Sequence, residues 1–297
     1  MNQFILAADA NFLGPLRVVL RSLEETQVPG TYGVVVLVPD QTVVEQVPEG
    51  SHTSVEWVVV DRDLIDGAQL PANYPAATTF RLSLDQLGLW PGGRVVYLDA
   101  DVLVCADLTD LFHVDLGDAA IAAVRDPVAP WVSHGTGVPW RDESIDPTTA
   151  YFNSGVLVID VERWRDRDLG RRSLAMLRER ELVFADQCAL NTVTAGSWAR
   201  LDPRFNVQAG HLPGITSAAY VVEEAPVVDA AVRNPAIVHF NSSPAGRPWV
   251  EGNWHPFAPQ WCQVAQRAGV VPADLPRTPR QRLTRRLRRA AWMVLKG

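Results

Sequence analysis

The sequence predicts an α/β fold built on one mixed, mostly parallel sheet. Three observations carry this prediction. Residues 4–8, 33–38, 55–60 and 94–99 are apolar runs with little polar alternation, the pattern of strands covered on both faces. Between the first two runs, Leu16, Val19, Leu20 and Leu23 recur at helical spacing, and strands alternating with helical segments indicate βαβ units. The chain has 297 residues, enough to bury a large core without disulfides or structural metals.

The first run, 4–8, ends at Asp9, and the Leu16–Leu23 periodicity predicts the helix that follows it. The second run stops at Pro39-Asp40, because proline cannot donate to a strand ladder. Residues 80–87 are expected to be helical, leading into the fourth strand. Later strands are predicted at 119–124, 155–161 and 237–240. Residues 126–147 are rich in Pro, Gly, Trp and Ser and read as a long loop, a common place for function. No internal repeat is visible. Residues 1–271 are predicted to be one domain, and Pro272, Pro276 and Pro279 stiffen a linker into a tail ending at 297.

Several classes are excluded. No window holds 18 uninterrupted apolar residues, so no membrane-spanning helix is expected. The N-terminus lacks a basic region and its apolar run is cut by Asp9, unlike a secretory leader. Cys105, Cys188 and Cys262 are sparse and unpatterned, which points to a reducing compartment and no zinc site. The net charge of -7 is uneven. Seven Arg and one Lys lie after Pro276 with no acid among them, which leaves 19 basic against 34 acidic residues elsewhere.

The densest chemical signal is Val95-Val96-Tyr97-Leu98-Asp99-Ala100-Asp101. Two carboxylates leave a buried strand one residue apart, and in extended chain they would face the same side. Open α/β sheets bind ligands beyond the carboxyl ends of their strands. Two adjacent anions repel unless a cation lies between them, and a hard divalent ion bridging to phosphates suits oxygen ligands. The plain alternative is a pair of solvated or capping aspartates. A second alternative is a haloacid-dehalogenase-like phosphatase, which uses a similar acidic pair with a downstream lysine. The only lysine here is Lys296.

The chain resembles glycosyltransferase family 8, which includes glycogenin and bacterial lipopolysaccharide galactosyl- and glucosyltransferases. The motifs carrying the resemblance run in order: Ala7-Ala8-Asp9-Ala10-Asn11-Phe12, Phe80-Arg81-Leu82, Tyr97-Leu98-Asp99-Ala100-Asp101-Val102-Leu103, Tyr151-Phe152-Asn153-Ser154-Gly155, Asp186-Gln187, Leu201-Asp202-Pro203-Arg204-Phe205-Asn206, Ile237-Val238-His239-Phe240 and Arg247-Pro248-Trp249. The resemblance implies a nucleotide-diphospho-sugar transferase fold of GT-A type, a single Rossmann-like domain. It implies a UDP-sugar donor, a glycan or lipid-linked acceptor, and Mn²⁺ or Mg²⁺ held by Asp99, Asp101 and His239. A nitrogen ligand favours Mn²⁺.

The resemblance assigns further roles. Ala7, Asp9 and Asn11 would bind uracil and ribose, with Ala100, Gly246 and Arg247 along the diphosphate. His239 and Arg247 are eight residues apart where the family more often has about six, so Ala245-Gly246 reads as an insertion. Arg81, Asp126, Asn153, Asp186 and Gln187 would line the sugar pocket and carry catalysis. Cys188 stands where the family has a polar residue. The family retains anomeric configuration. Gln187 occupies the position expected for a nucleophile, and an amide is a poor one. A same-face mechanism therefore fits better than a covalent glycosyl-enzyme. A non-catalytic sugar-nucleotide-binding protein is the alternative from another class.

In the tail, Leu283, Leu287, Ala290, Ala291, Val294 and Leu295 fall on one side of a helix over residues 280–295, with arginines around them. That pattern predicts an amphipathic helix on an anionic membrane surface. The expected location is cytoplasmic, peripheral at the inner face of the membrane. Nucleic acid is not an expected partner, because phosphates would repel the acidic body.

Overall fold

The structure, a computed structural model, describes residues 2–45, 55–72, 74–90, 92–135, 137–213, 224–241, 246–250 and 252–270. The predicted linker and basic tail, 272–297, lie outside the described residues.

Ten strands form in chain order: β1 Asn2–Ala7, β2 Tyr32–Val38, β3 Val55–Val59, β4 Arg94–Asp99, β5 Val102–Val104, β6 Ile121–Arg125, β7 Phe152–Asp160, β8 Ala199–Arg200, β9 Val207–Gln208 and β10 Ile237–His239. The helices are α1 Leu13–Thr26, α2 Gln41–Glu45, α3 Val161–Asp166, α4 Leu169–Glu179, α5 Ala185–Thr194, α6 Ala225–Arg233 and α7 Ala258–Arg267. The main sheet has seven strands in the order β3-β2-β1-β4-β7-β6-β8. Only β7 runs against its neighbours, so the mixed, mostly parallel expectation is met.

The apolar runs of β1, β2 and β4 have the predicted cause, whereas β3 lies at the sheet edge and is only partly buried. Along β1, Phe4 and Leu6 pack on one face with α1 residues Leu16, Val19 and Leu20. Ile5 and Ala7 pack on the other, with Leu174 and Leu177 of α4 and Leu190 of α5. Both faces are covered, so no polar alternation is needed. Chain order places β2 and β4 on opposite sides of β1. The carboxyl ends of β1 and β4 thus meet at the switch point where open sheets form a ligand crevice. Ala7 and Asp99 are direct partners there.

Two expectations need correction. The helix expected over 80–87 is shifted and tighter: a 3-10 helix spans Ala76–Ser83, and 84–86 form a turn. The hydroxyls of Thr78, Thr79 and Ser83 donate to the carbonyls of Pro75, Ala76 and Phe80, each three residues back. Such local bonds compete with α-helical pairing. Nor is the Asp99-Ala100-Asp101 segment extended. The chain turns at Ala100 and Asp101 and leaves the main sheet as β5, which joins a second sheet in the order β5-β10-β9. The carboxylates converge because β10 comes to meet them, with the Phe240 amide donating to the Asp101 carbonyl at 2.9 Å. The second sheet packs on α6 and α7 through Leu103, Val238, Phe240, Val228 and Trp261.

Candidate active site

A cavity of about 1200 Å³ opens over the carboxyl ends of β1 and β4. That is room for more than one drug-sized ligand. Its wall includes Ala7, Asp9, Arg81, Asp99, Ala100, Asp101, Asp126, Asn153, Asp186, Gln187, His239 and Arg247. Most of the residues singled out in the sequence are thus gathered on one surface, from eight separate segments. Asn11 and Gly246 are not on that wall. Asn11 turns its amide nitrogen onto Asp9 Oδ2 at 3.3 Å, and Asp9 Oδ1 accepts the amides of Asn11 and Phe12. The side chain of Asp9 therefore caps the turn that opens α1, as the turn chemistry of Asp predicts.

Asp99, Asp101 and His239 offer three ligand atoms within 4.8 Å of one another. His239 Nε2 lies 3.0 Å from Asp101 Oδ1 and 3.6 Å from Asp99 Oδ2. The two oxygens of Asp99 are differentiated. Oδ1 is held by Arg81 Nη2 at 2.7 Å and the Tyr97 hydroxyl at 3.2 Å, which leaves Oδ2 facing His239. Burial pushes Asp101 up, but the His239 imidazole and Arg247 hold it below the usual carboxylate range. Burial pulls His239 down, and the two aspartates outweigh it and draw it up. Both shifts follow from the pairing of His239 with Asp101 at 3.0 Å.

Arg81 is almost fully buried and serves two acids. It pairs with Asp99 and reaches Asp186 Oδ2 at 3.1 Å; its guanidinium also lies over the Tyr97 ring. Burial raises Asp186 to about 6 against the pull of Arg81. Burial also raises Asp126, although it accepts the amides of Val128 and Ala129. Gln187 sits between them. Its Oε1 accepts from Asn153 Nδ2 at 2.9 Å and from the Ser154 amide at 3.1 Å. Its Nε2 donates to the Tyr151 hydroxyl at 3.0 Å and to Asp126 at 3.3 Å.

Among the described residues, five aspartates face this cavity against two arginines, and Arg81 is committed to two of the acids. Among the described residues, the Nε of Arg247 is buried without a hydrogen-bond partner. Two carboxylates and an imidazole fit a divalent ion. A divalent ion there would offset the negative charge of the cavity toward an anionic ligand. The unpaired Arg247 nitrogen fits the same anion.

Cys188 packs rather than binds. It is fully buried, its sulfur touches the Tyr151 hydroxyl, and burial pushes its thiol up to about 12. Sequence reasoning named Phe12 and Ser154 only as motif members without a role, and missed Tyr74, Pro75, Thr78, Phe184, Gln208 and Trp254 on the cavity wall. Tyr74-Pro75 preceding the Arg81 element was a readable signal. The others reach the cavity only through tertiary packing.

The family model for glycosyl transferase family 8 matches residues 5–252. General stress protein A of Bacillus subtilis (strain 168) is 27% identical over 212 residues, covering 70% of this chain and 71% of that protein. Lipopolysaccharide 1,2-glucosyltransferase of Escherichia coli (strain K12) is 33% identical over 132 residues, covering 44% of this chain and 38% of that protein. Glycosyltransferase GlyB of Streptococcus pneumoniae is 31% identical and is matched over 42% of its length. The chain thus spans less than half of several curated relatives. The solved galactosyltransferase LgtC, in complex with donor and acceptor sugar analogues, aligns with a TM-score of 0.70 at 24% identity, covering 92% of this chain and 98% of that one. The shared architecture is the GT-A-type fold. With a family match over most of its length and this fold, the chain belongs to glycosyl transferase family 8.

Proposed function

We propose that this glycosyltransferase moves a hexose, glucose or galactose, from a UDP-sugar to a glycan or lipid-linked acceptor, with retention and with Mn²⁺ or Mg²⁺. The observation that carries the reading is the convergence of Asp99 Oδ2, Asp101 Oδ1 and His239 Nε2 at the switch-point crevice, with Arg247 on the same cavity wall. A divalent ion held there supplies positive charge to the departing diphosphate, a contribution of several kcal/mol to transition-state stability.

The chain's own groups divide the remaining work. Ala7 leaves space for uracil, and Asp9 and Ala100 line the nucleotide path; Asn11 and Gly246 stand off the wall, and Asn11 acts there through its bond to Asp9. Arg247 donates to the diphosphate, where a guanidinium can offer two parallel bonds. Arg81 keeps Asp99 turned so that one oxygen faces the ion. Asp126, Asn153 and Asp186 hydrogen-bond sugar hydroxyls; sites built this way reject sugars lacking the matching group. Both lone pairs of Gln187 Oε1 are already engaged by Asn153 and the Ser154 amide, so this oxygen is poorly placed to attack a sugar carbon. That supports departure and entry on the same face. The domain at 1–271 would carry the chemistry, and the basic tail at 272–297 would hold it against an anionic membrane on the cytoplasmic side. Among the described residues no helix is long and apolar enough to cross a membrane.

Slow hydrolysis of UDP-glucose and UDP-galactose, followed by proton NMR at early times, tests this reading. The expected first product is the α-hexose from an α-linked donor, formed with Mn²⁺ and suppressed by EDTA. A β-hexose as first product would contradict retention. Turnover insensitive to EDTA would contradict the metal assignment.

A further inference from the structure

We infer that Asn206 is a positioning residue that fixes His239 with its proton on Nδ1, so that Nε2 is the nitrogen presented to the cavity. The inference deepens the proposed metal site and rests on that reading for its functional meaning.

The argument starts from a backbone amide, whose polarity is fixed by the chain. The Gly155 N–H donates to Asn153 Oδ1 at 3.0 Å. The Asn153 carboxamide can therefore point only one way, because its flipped form would oppose two donors. Asn206 meets the same Asn153 oxygen at 3.0 Å, and only its NH₂ group can donate there. The other end of Asn206 must then be its oxygen. That oxygen faces His239 Nδ1 at 3.0 Å, and an amide oxygen can only accept. Nδ1 must therefore carry a hydrogen in every charge state of the ring. When the ring is neutral, the lone pair is on Nε2, toward Asp101 and Asp99.

Asn206 is fully buried, so water does not offer the ring an alternative partner. Its position follows from the fold: the 3-10 turn Pro203–Asn206 leads directly into β9, which pairs with β10. The row continues beyond Asn153 to Gln187, whose orientation is pinned independently by the Ser154 amide. Five side chains, from His239 to Asp126, thus form one directed hydrogen-bonded row joining the metal-ligand cluster to the sugar pocket. A histidine whose second nitrogen is held this way is a better-oriented ligand, and losing such a partner typically costs about 10–100-fold in metal affinity.

The test combines two readouts on the full chain. Long-range proton–nitrogen NMR of histidine-labelled, metal-free protein reads the ring directly. A protonated Nδ1 on His239 at every pH where the protein is folded is expected; an unprotonated Nδ1 overturns the inference. Mn²⁺ titration by EPR is then compared across variants whose fold is checked by circular dichroism. Asn206→Leu should weaken Mn²⁺ about 10–100-fold, and Asn206→Asp, which keeps an acceptor opposite Nδ1, should restore most of it. Equal affinity in wild type and Asn206→Leu overturns the positioning role. If wild-type protein takes up no Mn²⁺, the metal reading fails, and with it the functional meaning, while the NMR result still decides the ring assignment.

Discussion

Replacing Arg81 with Met should destabilise the protein by about 3–5 kcal/mol at pH 8, the usual cost of leaving a buried charge without its partner. Arg81 is 2% exposed and neutralises two carboxylates, Asp99 and Asp186. Methionine fills much of the volume, so the loss is electrostatic rather than a cavity. The sign of the pH dependence follows from Asp186. Burial already raises its carboxyl to about 6, above the ordinary value of about 3.9. A raised carboxyl binds protons more readily folded than unfolded, so stability is lost as pH climbs through the folded value. Without Arg81 that value moves higher still. The gap between variant and wild type should therefore widen from pH 6 to pH 8. Urea midpoints at both pH values check this, and a variant as stable as wild type at pH 8 would mean that Arg81 is not the charge partner of these acids.

Gly155→Ala should abolish metal-dependent nucleotide binding while the protein stays folded. A Cβ on Gly155 would sit 2.1 Å from His239 Cε1, 2.8 Å from its Nδ1 and 2.7 Å from Asp99 Oδ2. No relaxed structure tolerates the first distance, so the imidazole or β7 must move. Misplacement by about 1 Å is enough to cost on the order of 100-fold at a positioned site. The fold should survive, because overpacking typically costs about 1–3 kcal/mol. Mn²⁺ affinity and thermal midpoint, measured side by side, check it. Wild-type affinity in this variant would show that His239 and Asp99 are not the ligands.

Much of this was legible in the sequence, for identifiable reasons. Strands β1, β2 and β4 announced themselves because each is covered on both faces and is therefore apolar throughout. The acidic pair was conspicuous because it interrupts such a run. The helix expected at 80–87 begins earlier and is of 3-10 type, because hydroxyls at Thr78, Thr79 and Ser83 favour tighter turns, an effect that hydrophobic spacing does not report. The extended path through Asp99 and Asp101 failed because β5 pairs with β10, with Val102 opposite His239, 137 positions later in the chain; no local pattern encodes so distant a pairing. Asn206 was visible as part of a motif, but its orientation toward His239 became readable only once the Gly155 amide was in place. Family membership overturns the phosphatase alternative, in keeping with a chain whose only lysine is Lys296.

The central claim is that Asp99, Asp101 and His239 hold a divalent ion on which UDP binding depends. Calorimetric titration of UDP into the full chain, with Mn²⁺ and then with EDTA, tests it most directly. The account predicts binding with Mn²⁺ that is lost in EDTA and lost in Asp101→Ala. Equal UDP binding in EDTA, or none at all by folded protein with Mn²⁺ present, would contradict it.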